Sequence, residues 1–92
     1  MPRLTGAVHA IANLENRHPA TQEKARWFDY EHLPSDQRQV SVEFARMATT
    51  VIARLMDGPQ LTIALQHLID AKDAAVRQSI VDAETRRENV LP

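Results

Sequence analysis

Met56-Asp57-Gly58-Pro59-Gln60 separates two helical patterns, and its reading decides the fold. Gly suits the left-handed residue just past a helix end, and Pro suits the first position of the next helix. The two patterns are therefore expected to meet at a tight antiparallel turn. Upstream, residues 35–57 read as the longer arm's partner. Ser35 is the expected N-cap and Asp36 favours the helix dipole. Val40, Phe44, Met47, Ala48, Val51, Leu55 and, at the edge, Ile52 make one apolar face. Downstream, residues 59–88 read as the longest helix. Leu61, Leu65, Leu68, Ala71 or Lys72, Ala75, Val76, Ile80 and Ala83 form its stripe. Ile63, Ile69 and Val81 lie off that stripe and suggest a second buried face.

At ~1.5 Å per residue the downstream helix is about 45 Å long against about 32 Å for its partner. The overhang, with the small residues Ala71, Ala74 and Ala75, favours self-association through the longer helix. Asp73 with Arg77, and Asp82 with Arg86, are spaced as four-apart ion pairs. The end from Glu88 to Pro92 is expected to fray.

Before the hairpin, residues 3–16 give a short amphipathic pattern carrying Leu4, Ala7, Val8, Ile11, Ala12 and Leu14. His18-Pro19 is expected to end it. Thr21 is a candidate cap for a short turn over residues 22–26, followed by an extended or turn path through Tyr30 to Pro34. The expected class is all-α: a short N-terminal helix, then a long antiparallel helical hairpin, oligomeric. Its parts are an arm and linker at 1–25, the aromatic segment with the hairpin at 26–88, and a frayed tail at 89–92.

Composition bounds the function. Ninety-two residues make one small domain, marginal alone and helped by oligomerisation. No cysteine is present, so disulfides and thiolate sites are excluded, which fits a reducing cytoplasm. No apolar run approaches the ~20 residues a membrane span needs. Eleven basic residues face twelve acidic ones, a balance that argues against general DNA or RNA binding. Nine of the eleven are Arg, whose planar forks suit phosphates and planar rings.

Chemistry concentrates in Arg26-Trp27-Phe28-Asp29-Tyr30-Glu31-His32-Leu33-Pro34. Three of the four aromatic residues lie there, flanked by Lys24, Arg26, His32 and Arg38. Trp27 and Phe28 are equally suited to plugging the open end of a hairpin. Tyr30 and Trp27, with polar tips, are the better candidates to meet a ligand. Glu43, Arg46, Thr50, Arg54 and Asp57 form a polar stripe in which Arg46, Thr50 and Arg54 suit phosphate oxygens; a plain solvated face reads the same way. His67 and Asp70 are spaced as two metal ligands, but a structural site wants four, so no metal is expected. Asp29 with Glu31, and Asp70 with Asp73, are paired carboxylates without an enclosing pocket, so neither catalysis nor a cofactor is expected.

Phe28-Asp29-Tyr30-Glu31-His32-Leu33-Pro34 resembles the Phe-x-Tyr-His-Pro-Pro segment of a phage hairpin family, the anti-CBASS and anti-Thoeris signal sponges. Asp57 at the turn is similar too, and Ile63-Ala64-Leu65-Gln66-His67-Leu68-Ile69-Asp70-Ala71 resembles the family's Leu-Ala-Leu-Thr-Lys-Leu-Glu-Glu-Ala run. The resemblance covers residues 26–80. It implies a small helical protein of the host-cell cytoplasm that forms dimers or higher oligomers. Such proteins hold immune second messengers (cyclic oligonucleotides or cyclic ADP-ribose isomers) between subunits and release them intact. The motif tyrosine, which stacks on a base, carries over to Tyr30, and the motif histidine to His32, displaced by Glu31. The chain departs from the pattern at Gly58-Pro59, where the family has Ser-Arg, at His67, where it has Lys, and at Ala74-Ala75-Val76, where it has Trp-Ala-Asn.

Two functions from different classes are thus expected. One is a messenger sponge using Arg26, Trp27, Tyr30, His32 and Arg46. The other is a helical protein-interaction module, a phage assembly or regulatory protein with no small ligand. A DNA-binding helix-turn-helix is a third reading, opposed by neutral charge and by helices too long for that motif.

Overall fold

The computed structural model describes residues 13–90, and every structural statement below concerns those residues. The described chain is all-helical, without a strand. A 3-10 turn at Leu14–Asn16 leads to α1, Pro19–Ala25, and a second 3-10 turn at Arg26–Phe28. The long helices are α2, Ser35–Arg54, and α3, Pro59–Val90.

Most of the helix expected over residues 3–16 lies outside the described residues. Its described end is not α-helical. Asn13 sits at φ 61°, in the left-handed region that Asn tolerates better than most residues. A 3-10 turn follows it. His18-Pro19, expected to end a helix, instead begins one. Pro19 opens α1, and the His18 Nδ1 accepts from the Ala20 N–H (3.0 Å), so His18 is the cap. Thr21, the expected cap, is buried within α1.

The second long pattern is also shifted. Pro34 holds the cap position of α2 and its carbonyl accepts the Arg38 N–H (2.8 Å); Ser35 is already helical and makes no side-chain cap bond. The helix stops at Arg54 rather than 57, because Leu55 turns extended. Gly58 is not left-handed, so it is not the residue past the helix end that sequence suggested. Its carbonyl accepts the Thr62 N–H (3.1 Å) at the start of α3, and Pro59 does occupy the first position of that helix. The chain stays helical to Val90, past the expected fraying point.

α2 packs along α3, and α1 with the turn after it packs across both. The core consists of Leu14, Ala25, Phe28, Ala45, Ala48, Ile52, Leu61, Leu65 and Ile69. Phe28, Ile52 and Leu65 are its largest fully buried hydrophobic side chains, each worth about 1.5–3 kcal/mol of burial. Leu14, Thr21 and Ala25 are buried in the same core, so the segment from 14 to 25 is integral to it. Two expectations about faces need correction. The buried stripe of α2 is Ser41, Ala45, Ala48 and Ile52, whereas Met47 and Leu55 are half-exposed. On α3, Ile69 joins the core, while Ile63 and Val81 stay exposed. The expected four-apart pairs give way to other contacts: Asp73 pairs with Lys72 (3.4 Å), and Asp82 accepts from Gln78 Nε2 (2.8 Å).

Candidate functional site

The Trp27 segment is pinned by Phe28. Its ring is fully buried, and Lys72 of α3 reaches over it, Nζ lying 5.9 Å from the ring centre. The same ammonium donates to the Trp27 carbonyl. Burial of one ring thus throws its neighbour outward. Trp27 is 55% exposed, its indole Nε1 donating to Glu23 Oε1 (3.4 Å). Arg26 pairs with the other oxygen of Glu23 (3.2 Å). Glu23, one turn back on α1, therefore gathers Arg26 and Trp27 side by side on the surface.

The remaining candidates are placed differently. Tyr30 is half-buried and packs on the edge of the core; its carbonyl accepts the Leu33 N–H (3.1 Å) and closes the turn. His32 is exposed at the tip of that turn. Arg46 is exposed on α2 and held by Glu43 of its own helix (2.9 Å). Of the five residues, the hydrogen bonds bring together Arg26 and Trp27.

A different cluster, not anticipated from sequence, forms at the other end of the helices. Asp57 accepts Arg17 Nε (2.9 Å) and the Thr21 hydroxyl (2.7 Å) on Oδ1, and the His18 N–H (2.9 Å) on Oδ2. Arg17 also donates from Nη1 to the Ile52 carbonyl (2.8 Å) and from Nη2 to the Leu55 carbonyl (2.7 Å). One guanidinium therefore caps two carbonyls at the open end of α2, the place where sequence put Gly58. The Thr21 hydroxyl, then the His18 amide and the Arg17 charge, outweigh partial burial and hold the Asp57 carboxyl below its ordinary value. Nothing local signals this cluster, because its partners lie about forty residues apart in the chain.

A groove of about 390 Å³ opens over this cluster, lined by His18, Thr21, Asp57, Gly58, Pro59 and Thr62. It is not at the Trp27 segment. Its carboxylate opposes phosphate binding, and that carboxylate's oxygens are already engaged, so its geometry is that of a structural brace. Among the described residues no three His, Asp or Glu side chains gather to hold a metal ion. No described helix is long and apolar enough to cross a membrane. No family model, curated protein or solved structure matches the chain.

Proposed function

We propose that this chain is a phage-type immune-evasion protein that binds a cyclic nucleotide messenger and sequesters it uncleaved. The ligand class is a cyclic di- or trinucleotide or a cyclic ADP-ribose isomer. The chain folds its two long helices back as an antiparallel hairpin and shares the ligand site between copies in the host cytoplasm. The observation that carries the reading is Trp27: a half-exposed indole whose backbone is anchored by buried Phe28 and by Lys72, whose Nε1 meets Glu23, and which has Arg26 beside it. A fixed aromatic face loses little freedom when a base stacks on it, and such stacking contributes about 1–3 kcal/mol. An adjacent guanidinium supplies a charge-assisted bond to phosphate. Tyr30 and His32 flank the same turn, and Arg46 supplies a further cation on α2.

The test is calorimetry of the full chain against cyclic di- and trinucleotides and cyclic ADP-ribose isomers, with recovery of the ligand afterwards. Tight binding of one ligand, recovered intact, is expected. Trp27→Ala should weaken it about tenfold or more, on the stacking estimate. Because Trp27 is exposed, that variant should keep its fold, which makes it a cleaner control than Tyr30→Ala. Absence of heat from every ligand overturns the reading. The second reading, a helical protein-interaction module, is favoured by the apolar flank that α2 leaves half-exposed.

A further inference from the structure

We infer that a second copy of this chain covers the exposed flank of α2, with the two α2 helices lying antiparallel across a twofold axis. α2 carries two stripes. Its small-residue stripe is spent on the chain's own core. The bulkier stripe of Val40, Phe44, Met47, Val51 and Leu55 runs beside it and stays partly in water, with Met47 at 53% and Leu55 at 51% exposure. A helix that keeps its larger apolar residues half-covered has a partner still to meet.

The neighbouring flank of α3 extends the surface. Leu68, like Phe44 and Val51, packs partly buried against the core, and Ala64 and Ala71, one turn to either side of it, are exposed. α1 is attached on the other side of the Leu65 stripe, where Lys24 donates to Gln66. The alanine flank is thus exposed and carries only small side chains at 64 and 71, as close approach of a second helix pair requires. Two helix pairs joined this way form a four-helix bundle.

The occupant is argued from self-complementarity. An antiparallel twofold at the level of Thr49 sets Met47 level with the partner's Val51, and brings Phe44 within one residue, about 1.5 Å, of the level of the partner's Leu55. The same axis brings Glu43 within one residue of the level of the partner's Arg54, within reach of its long side chain, so the apolar pairs and the opposite charges meet near one register. Glu43 holds Arg46 through Oε1 alone, which leaves its other oxygen for a partner's cation. The stripe runs about 24 Å along the helix, and two helix widths give roughly 500 Å² per chain. The total of about 1,000 Å² stands at the lower bound of specific interfaces, so the dimer dissociates on dilution. This inference deepens the shared-site reading by naming the shared face, and it requires no ligand.

The experiment is sedimentation equilibrium of the full chain without nucleotide, from low micromolar to millimolar concentration, with far-ultraviolet circular dichroism alongside. A reversible monomer–dimer equilibrium is expected. Met47→Glu places two carboxylates at the seam per dimer, and should weaken association at least a hundredfold with unchanged helicity. Glu43→Arg should weaken association, and adding Arg54→Glu should restore it. A monomer at every concentration overturns the proposal and gives the face to residues 1–12 or to another protein. A dimer indifferent to Met47→Glu, or a charge swap without rescue, overturns it equally. Because ligand is absent, failure here is distinguishable from failure of the nucleotide reading.

Discussion

Ser41 is fully buried on α2, and its hydroxyl has no hydrogen-bond partner. A hydroxyl taken from water without a replacement bond costs about 1–3 kcal/mol. Ser41→Ala removes that cost at a site already sized for a small residue, and Ala is also the better helix former. The variant should gain about 1 kcal/mol, read as a higher midpoint in urea with an unchanged slope. Arg17 presents the reverse case. Its guanidinium is mostly covered and every bond it makes has a distant partner. Arg17→Met keeps much of the stem but removes the donor to the Ile52 and Leu55 carbonyls and leaves the Asp57 carboxylate with the Thr21 and His18 donors alone, and should cost about 2–3 kcal/mol. Asp57 adds a pH dependence. Its folded pKa is lowered, first by the Thr21 hydroxyl and then by the His18 amide, so it contributes stability above the ordinary carboxylate pKa of about 3.9. That contribution is lost as pH falls through the lower folded value. Thermal melts from neutral pH to about pH 2 should show this loss in the native chain. Asp57→Asn should melt lower at neutral pH and show a shallower acid limb; an unchanged acid limb would mean that other carboxylates carry it.

Two stripes on one helix explain why the element scale was only half legible in the sequence. The break at Asp57-Gly58-Pro59 stands out because Pro59 fits only a helix start, and α3 indeed begins there. The face of α2 does not stand out in the same way. Hydrophobic spacing favours Val40, Phe44, Met47, Ala48, Val51 and Leu55 with Ile52 at the edge; the chain buries Ala48 and Ile52 of that set, together with Ser41 and Ala45. The reason is approach distance: α2 packs closely only where side chains are small, and α1 with its following turn adds Phe28 to that side. Sequence volume centres the face too far toward the bulky residues, because it does not know what lies opposite. The candidate site shares this limit. The chemical types of Arg26, Trp27, Tyr30, His32 and Arg46 are readable, but their exposure depends on which ring of Trp27-Phe28 turns inward. Lys72, far along the chain, sits over Phe28. Close approach also has a consequence for α2. Ala48→Leu forces three extra carbons into a fully buried position and should cost about 1–3 kcal/mol. An enlarged residue at half-exposed Val51 should cost less, so denaturant titration of the two variants ranks the stripes directly.

The whole molecule is long and uneven, 55 Å in its greatest extent and 18 Å in its least. α3 has thirty-two residues and α2 has twenty, so α2 accompanies α3 for about 30 Å of its roughly 48 Å. Burial follows that limit. Ser79 is the last buried residue of α3, Ala83 is half-buried, and positions 84 to 89 are all exposed. The opposite end is tied by Arg17, Thr21 and Asp57, where three separate segments meet. Stability is therefore graded along the long axis, highest between the Asp57 brace and Phe28 and lowest at the far end of α3. Amide hydrogen exchange should show it as protection that is strong through Leu61, Leu65 and Ile69 and declines steadily beyond Ser79. Truncation after Ala83 should change global stability by no more than about 0.5 kcal/mol, because positions 84 to 89 are all exposed. Helicity should fall by the length removed and no further. A large loss of stability on truncation would show that the end of α3 is held by a contact the single chain does not make. Comparing that loss at low and high protein concentration would then distinguish a second copy from the chain itself, since only the former varies with dilution.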